Sequence, residues 1–532
     1  MSGEAPRKVL FGLAVAGLAL FGFWLVLLRV QPGLIGWIND DGMYVGYAKA
    51  LLDGHGYVET AMGDPIPARR YPIGFPALLA LAAWGSESLT ELIVRMQIVG
   101  PLSVALFVLV SAWYFRRHGF PAWGSLLGAA LIAIQPDISV FGSMVLSDVP
   151  AAVLGLLTLI LFEHAFRTSA RARWWFAGGV LLAVCGLFRY ALAPLGLAVA
   201  LLLLKERRWK EAAWTAGGLL LAFGPWLLFR LTAGGEEYGG QAEGFLSMGA
   251  AQLLENFRLS VAYFLTSGLP AYLGPHLLGG WSLMGALTGV LLAFATLLGA
   301  IAWLVRPAEG QTSLGALVLL MTVAMVVVWE MRFITIGSGL VIRLLIPVAP
   351  LMLVAFVRGL GEVRARFVAT PGRLAPRLLG LAALGVVIHG GQAEARLALD
   401  DTARAWQRQE QASNAVTLDF VRRQLPADAR LASFKSSLVH LHSGRACHSL
   451  SIEQNNQQLL AMLRQTGSEY VVGLPLYMEV GKDRPQFVDA STVILNDMAK
   501  AYPGLFEPVF LSPDRTGIVV RVNRAMLEAA AD

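Results

Sequence analysis

Residues 9–30, "VLFGLAVAGLALFGFWLVLLRV", carry no acid and one terminal arginine over a length that crosses a bilayer. About 20 apolar residues in a helix match a hydrocarbon core of about 30 Å. Further apolar blocks lie at 91–115, 121–136, 148–166, 174–188, 191–204, 212–230, 279–305, 313–331, 341–357 and 378–392. In lipid every backbone polar group must be satisfied within the protein, so blocks of this length predict helices. The expected fold class is an α-helical polytopic membrane protein with about 11 transmembrane helices. Charged residues make up 15% of the chain, against about 25% in a soluble domain. The first block is too long for a signal peptide and no small-residue cleavage site follows it, so a retained helix is expected.

The split at 189–190 is the least regular boundary. "GLFRYALAPL" interrupts about thirty apolar residues with Arg189 and Pro194, and a tight turn fits better than one long helix. The net charge of +6 sits mostly in short loops, which points to a membrane partner and not to nucleic acid. With a cytoplasmic N-terminus, the inner segments hold seventeen Lys and Arg, and the longer outer segments hold about half as many. The positive-inside rule favours that orientation. An odd span count then places residues 395–532 outside, with outer loops at 31–90 and 231–278 in the membrane domain of residues 1–394.

Composition changes sharply after residue 394. "EQASNAVTLDFVRRQL" and "IEQNNQQLLAMLRQ" have helical spacing with polar faces, whereas "EYVVGL", "FEPVFL" and "GIVVRV" are β-branched and aromatic runs. Alternation of the two predicts a small soluble α/β domain. The two cysteines, Cys185 and Cys447, lie in different regions, and neither a disulfide nor a CxxC metal motif is expected. "VHLHSGRACH" would set His440 and His442 on one face of a strand, but it lacks a standard four-ligand zinc spacing. His55 lies in the first loop and carries little weight.

The remaining polar residues fall on one side of the expected topology. Asp40 and Asp41 follow the first span, and Arg69, Arg70 and Tyr71 close the same loop. Asp148 sits at the outer end of a span, Arg189 at an outer turn, Glu330 and Arg332 at another outer end, and Arg343 opens the next span. Charges at helix ends often snorkel to the interface, and Asp148 suits a helix cap. Two adjacent acids are harder to explain that way, because one cap needs one oxygen. Ionisable groups near hydrocarbon usually line a cavity or pair with one another, so an outward-facing polar cavity is expected.

Asp-Asp-x-x-Tyr (Asp40, Asp41, Tyr44), then "AKALLDGHGY", then Tyr-Pro-x-Gly-x-Pro (Tyr71, Pro72, Gly74, Pro76) resembles the GT-C glycosyltransferases. These include the lipid A aminoarabinose transferases, the protein O-mannosyltransferases and their bacterial relatives. "RLLIPVAPL" is similar to their Arg-x-x-x-Pro-x-x-Pro segment, and "SDVP" to a second outer-loop acid. The family usually has Asp-Glu where this chain has Asp-Asp. The aminoarabinose transferases have Lys-Pro-Pro where this chain has "RRYPIG".

The resemblance implies a sugar donor carried on a polyprenyl phosphate, an enzyme of the bacterial inner membrane, and an active site and C-terminal domain on the extracytoplasmic side. It puts Asp40 in the role of general base, with Asp41 beside it. A developing phosphate charge needs cations, and arginine forks onto phosphate oxygens. Arg70 and Arg343 are the first candidates, followed by Arg69 and Arg189. Asp148, Tyr44, Tyr71 and Glu330 are substrate or metal candidates. Asp40, Asp41 and Asp148 could hold a divalent cation such as Mg or Mn, since some relatives need one and others do not. A transporter or flippase of lipid-linked sugars would also need many spans, but would usually show repeated halves, and no repeat is present. A membrane scaffold would not need clustered acids.

Overall fold

The computed structural model describes residues 4–33, 35–36, 39–63, 65–168, 171–233, 248–265, 283–333, 342–367, 392, 395–396, 414–451, 454–475, 477–480 and 486–530. It divides into two compact units.

The first unit comprises residues up to Val30, the short segment Pro72–Phe75 and the described part of Ile98–Leu399. It is a helical bundle. Apolar helices occupy ten of the eleven expected positions, and the eleventh, 378–392, lies almost wholly outside the described residues. Six described helices are long and apolar enough to cross a membrane. Ala122–Ala133 and Pro136–Ser143 are long and apolar enough only when taken together, as a pair bent by 51°. The bend follows from sequence: Pro136 cannot extend the preceding helix. Gln135 restarts the chain by accepting the Ile138 N–H at 3.1 Å. The irregularity at 189–190 is also a break. Ala172–Phe188 ends where Arg189 turns extended, Tyr190–Leu192 makes one 3-10 turn, and Ala193–Lys205 starts with Pro194 in its first turn.

Two helix crossings in this unit are sealed by glycine. A Cβ on Gly179 would overlap the Thr215 carbonyl, and one on Gly218 would overlap the Phe176 carbonyl. Gly299 and Gly359 are packed in the same way against the Ala355 and Ala295 carbonyls. Small residues let helix backbones approach where no hydrophobic drive separates helix from lipid. Near the far end of the Asp148–Thr168 helix lies a buried polar knot. Glu163, fully buried, faces His118 Nε2 at 3.3 Å, the Tyr114 hydroxyl at 3.4 Å and Arg167 at 3.7 Å.

The second unit gathers the first loop, Gln31–Tyr71, with Pro76–Gln97 and the described part of Asp400–Asp532. Its sheet has five strands in the order Cys447–Ser449, Leu431–Ser433, Tyr470–Gly473, Ile518–Val522 and Phe506–Leu511. The first three are parallel and the last two antiparallel. The three strands expected from β-branched runs are all present. Leu459, Leu460, Leu463, Val471, Val520, Val522 and Leu527 make the core between sheet and helices. The helices expected in "EQASNAVTLDFVRRQL" and "IEQNNQQLLAMLRQ" appear at 414–424 and Asn456–Thr466. Asn455 and Gln458 close a capping box on the latter, which satisfies two otherwise unpaired N–H groups.

One local expectation is corrected. His440 and His442 lie on the helix Ser436–Ser443, not on a strand. Gly444 stops that helix in the left-handed conformation, which glycine adopts without penalty. Positions two apart on a helix point away from each other, so the two imidazoles do not share a face.

Candidate functional site

The helix Asn39–Leu52 begins with both acids in its first turn. Carboxylates there are favoured by the helix dipole, but the two side chains do different things. Asp40 is half-buried, and its Oδ1 accepts the Tyr71 hydroxyl at 2.7 Å. The Tyr71 ring packs on Tyr44 with centroids 4.5 Å apart, and the Arg70 guanidinium lies 5.6 Å from the Tyr71 ring centre. Burial, and then the Asp40 charge, push the Tyr71 phenol well above its usual range. Tyr71 therefore stays protonated and serves as a donor that orients Asp40.

Asp41 is 2% exposed. Its Oδ2 accepts the Gly36 N–H at 2.8 Å and its Oδ1 the Gly42 N–H at 2.7 Å. Burial raises its carboxyl to about 6. The Gly36 N–H, the Lys435 charge and the Gly42 N–H pull in the opposite direction, and Asp40 adds to the rise. Both oxygens of Asp41 are thus committed to the backbone at the helix start.

Two residues of this cluster are not singled out by sequence. Glu59 accepts the Tyr47 hydroxyl at 3.4 Å, and its carboxyl is raised by burial and lowered by Tyr47 and then Arg70. Arg70 thus lies electrostatically between Tyr71 and Glu59. Lys435, fully buried, donates from Nζ to the Gly36 carbonyl at 2.5 Å. Glu59 follows "GYV" in an unremarkable loop, and Lys435 stands alone in "SFKSS". Neither context signals chemistry. Arg69 lies half-buried beside Arg70.

A second cluster lies wholly within the helical unit. Asp148, 1% exposed, opens the Asp148–Thr168 helix. Arg189 Nη1 lies 2.6 Å from its Oδ2, and Arg343 Nε lies 3.9 Å from its Oδ1. The first is a close ion pair whose N–H direction falls short of hydrogen-bond alignment. Arg189 also donates to the Ser147 hydroxyl at 3.2 Å. Two guanidiniums share one carboxylate. Glu330 is buried near the end of Leu314–Phe333. The Arg332 side chain is outside the described residues.

Asp41 spends both oxygens on backbone amides, and Asp148 faces two arginines. Among the described residues, no group of three or more His, Cys, Asp or Glu side chains is placed to hold a metal. His440 instead joins the first loop, with Nε2 3.0 Å from the Thr60 hydroxyl and Nδ1 2.9 Å from the Arg445 carbonyl.

Residues 76–229 match the family model described as dolichyl-phosphate-mannose-protein mannosyltransferase. No curated protein matches the chain. Among solved structures, ArnT from Cupriavidus metallidurans bound to undecaprenyl phosphate is 16% identical with a TM-score of 0.53, covering 98% of this chain and 99% of its own. The archaeal oligosaccharyltransferase AglB from Archaeoglobus fulgidus, in complex with an inhibitory peptide and a dolichol-phosphate, is 13% identical with a TM-score of 0.51. That match covers 98% of this chain and 75% of AglB. Helical membrane unit, C-terminal sheet and whole-length likeness to two such proteins together give this chain the GT-C glycosyltransferase fold.

Proposed function

We propose that the protein is a membrane glycosyltransferase that moves a sugar from a polyprenyl-phosphate carrier to an extracytoplasmic acceptor. The observation that carries this reading is Asp40: a half-buried carboxylate at the start of a helix, oriented by the Tyr71 hydroxyl and accompanied by Arg70. The fold shared with ArnT and AglB supports it, as do the undecaprenyl phosphate and dolichol-phosphate bound by those two proteins.

In this reading an acceptor hydroxyl or amide attacks the anomeric carbon. The new bond forms as the bond from that carbon to the phosphate oxygen breaks, and polyprenyl phosphate leaves. Asp40 takes the acceptor proton, which is general-base catalysis. Tyr71 holds the carboxylate in one orientation and keeps it hydrogen-bonded without supplying a competing charge. Phosphate is already a good leaving group and requires cations more than an acid. Arg70 supplies one such cation. Arg189 and Arg343, held side by side by Asp148, are the anion-binding pair of the helical unit. One direct displacement inverts the anomeric centre. The positive-inside charge bias supports an extracytoplasmic reaction side in a bacterial inner membrane.

The test is turnover of a radiolabelled polyprenyl-phosphate sugar by purified protein. Transfer to a new acceptor supports the enzyme, whereas label that only changes leaflet while remaining on its carrier supports a transporter. Asp40→Asn keeps the acceptor atom for Tyr71 but cannot take a proton. It is expected to lower turnover by about 10²–10⁴-fold with donor binding intact. Near-normal turnover in that variant would remove Asp40 as the base.

A further inference from the structure

The C-terminal residues have no evident chemistry of their own, yet they grip the first loop at three points. Lys435 Nζ holds the Gly36 carbonyl at 2.5 Å. His440 Nε2 meets the Thr60 hydroxyl at 3.0 Å. The Cys447 N–H donates to the Ala61 carbonyl at 2.6 Å. The first grip is the most constrained. Gly36 has φ +99°, and a Cβ there would overlap the Leu438 side chain. Its N–H goes to Asp41 and its carbonyl to Lys435. Both polar groups of Gly36 are therefore fixed by buried charged side chains, three residues before the helix that carries Asp40 and Asp41 in its first turn.

We propose that Lys435 is a positioning residue for glycosyl transfer, acting through Gly36 and Asp41 to fix the helix start that presents Asp40. This rests on the reading of Asp40 as the base. Burying a lysine is costly unless its charge is compensated. A residue serving only to fill the core would be cheaper as leucine or methionine. Here the ammonium completes a chain from Lys435 to Gly36 to Asp41 to the Gly42 amide, and Asp40 is the next side chain on that turn. Small displacements of a catalytic group cost rate far more than they cost binding. Through this chain the C-terminal residues become part of the catalytic apparatus.

The experiment compares Lys435→Met and Lys435→Gln with wild type in the full-length protein. Met removes the charge and the donor, whereas Gln keeps a donor for the Gly36 carbonyl. Lys435→Met is expected to lower kcat at least tenfold with the KM for polyprenyl-phosphate sugar within about twofold of wild type. Lys435→Gln is expected to recover part of the loss. Unchanged kcat overturns the proposal, as does a parallel change in kcat and KM, which would make Lys435 a donor-binding group. Folding is judged by protection of the buried Cys447 thiol. If Met exposes that thiol, Gln is judged by the same criteria, and exposure in both makes Lys435 a folding residue and refutes the positioning role. Asp40→Asn is run alongside: full activity there defeats the base reading, whatever the Lys435 variants do.

Discussion

Asp41 makes a measurable demand on the stability of the second unit. Its carboxyl is pushed up to about 6 in the folded protein from an ordinary value of 3.8, with burial the main cause. Folding therefore favours the neutral acid. The stabilisation from carrying Asp41 neutral is complete below about pH 3.8 and is lost as the pH rises through about 6. A shift of about two pKa units corresponds to about 3 kcal/mol. Asparagine at this position cannot ionise. The stability difference between wild type and Asp41→Asn should therefore move by about 2.5 kcal/mol between pH 4 and pH 8, against the wild type at the higher pH. Using the difference cancels Glu59, whose carboxyl is also raised. The structure supplies its own reporter: Cys447 is a buried free thiol in this unit, and Cys185 is its counterpart in the other. In a Cys185→Ser background, the rate at which dithiodipyridine labels Cys447 gives the opening free energy at each pH. A difference that stays flat across the range, or moves the opposite way, would show that the fold does not hold Asp41 as described.

Arg343→Ala should weaken donor binding by about 1.5–3 kcal/mol, the worth of a hydrogen bond to a charged group, and Lys should restore only part because it lacks the fork; isothermal titration with polyprenyl phosphate measures both. Glu163→Ala leaves Arg167 facing a buried gap beside His118, so the helical unit should lose about 3–5 kcal/mol, read as earlier labelling of Cys185 in a Cys447→Ser background. Reporter fusions after residue 395 should be active as alkaline phosphatase and dark as a cytoplasmic fluorescent protein, following the charge bias of the loops.

What the sequence discloses depends on how local the physics is. Apolar blocks locate helices because the bilayer demands length, and the β-branched runs at 470–473, 506–511 and 518–522 locate strands because they fill a half-buried pleated surface. The Asp40–Tyr71 pairing was within reach, since both belong to one first-loop motif. The separate duties of Asp40 and Asp41 were not. Adjacent residues read alike in sequence, whereas one faces the tyrosine pair and the other turns back to the Gly36 and Gly42 amides. Lys435 and Glu59 were invisible because their meaning comes from segments distant in the chain. The V-H-L-H alternation imitates a strand, but Gly444 and the packing of Leu438 against Gly42 make it a helix.

The glycine-sealed crossing between Ala172–Phe188 and Trp209–Ala233 sets an order for how the protein can be built. Gly179 meets Thr215 and Leu219, and further along Gly186 meets Phe223, so the two helices run in the same direction. A same-direction pair cannot enter the bilayer as a hairpin, because the chain must first return through Ala193–Lys205. During synthesis the first helix therefore waits in lipid with its Gly179 face open until the third segment has left the ribosome. The waiting helix is a point where a nascent chain is open to capture by the wrong neighbour. Slow translation of residues 189–233 would lengthen that interval, and a helper protein that shields small-residue helix faces would shorten its consequences.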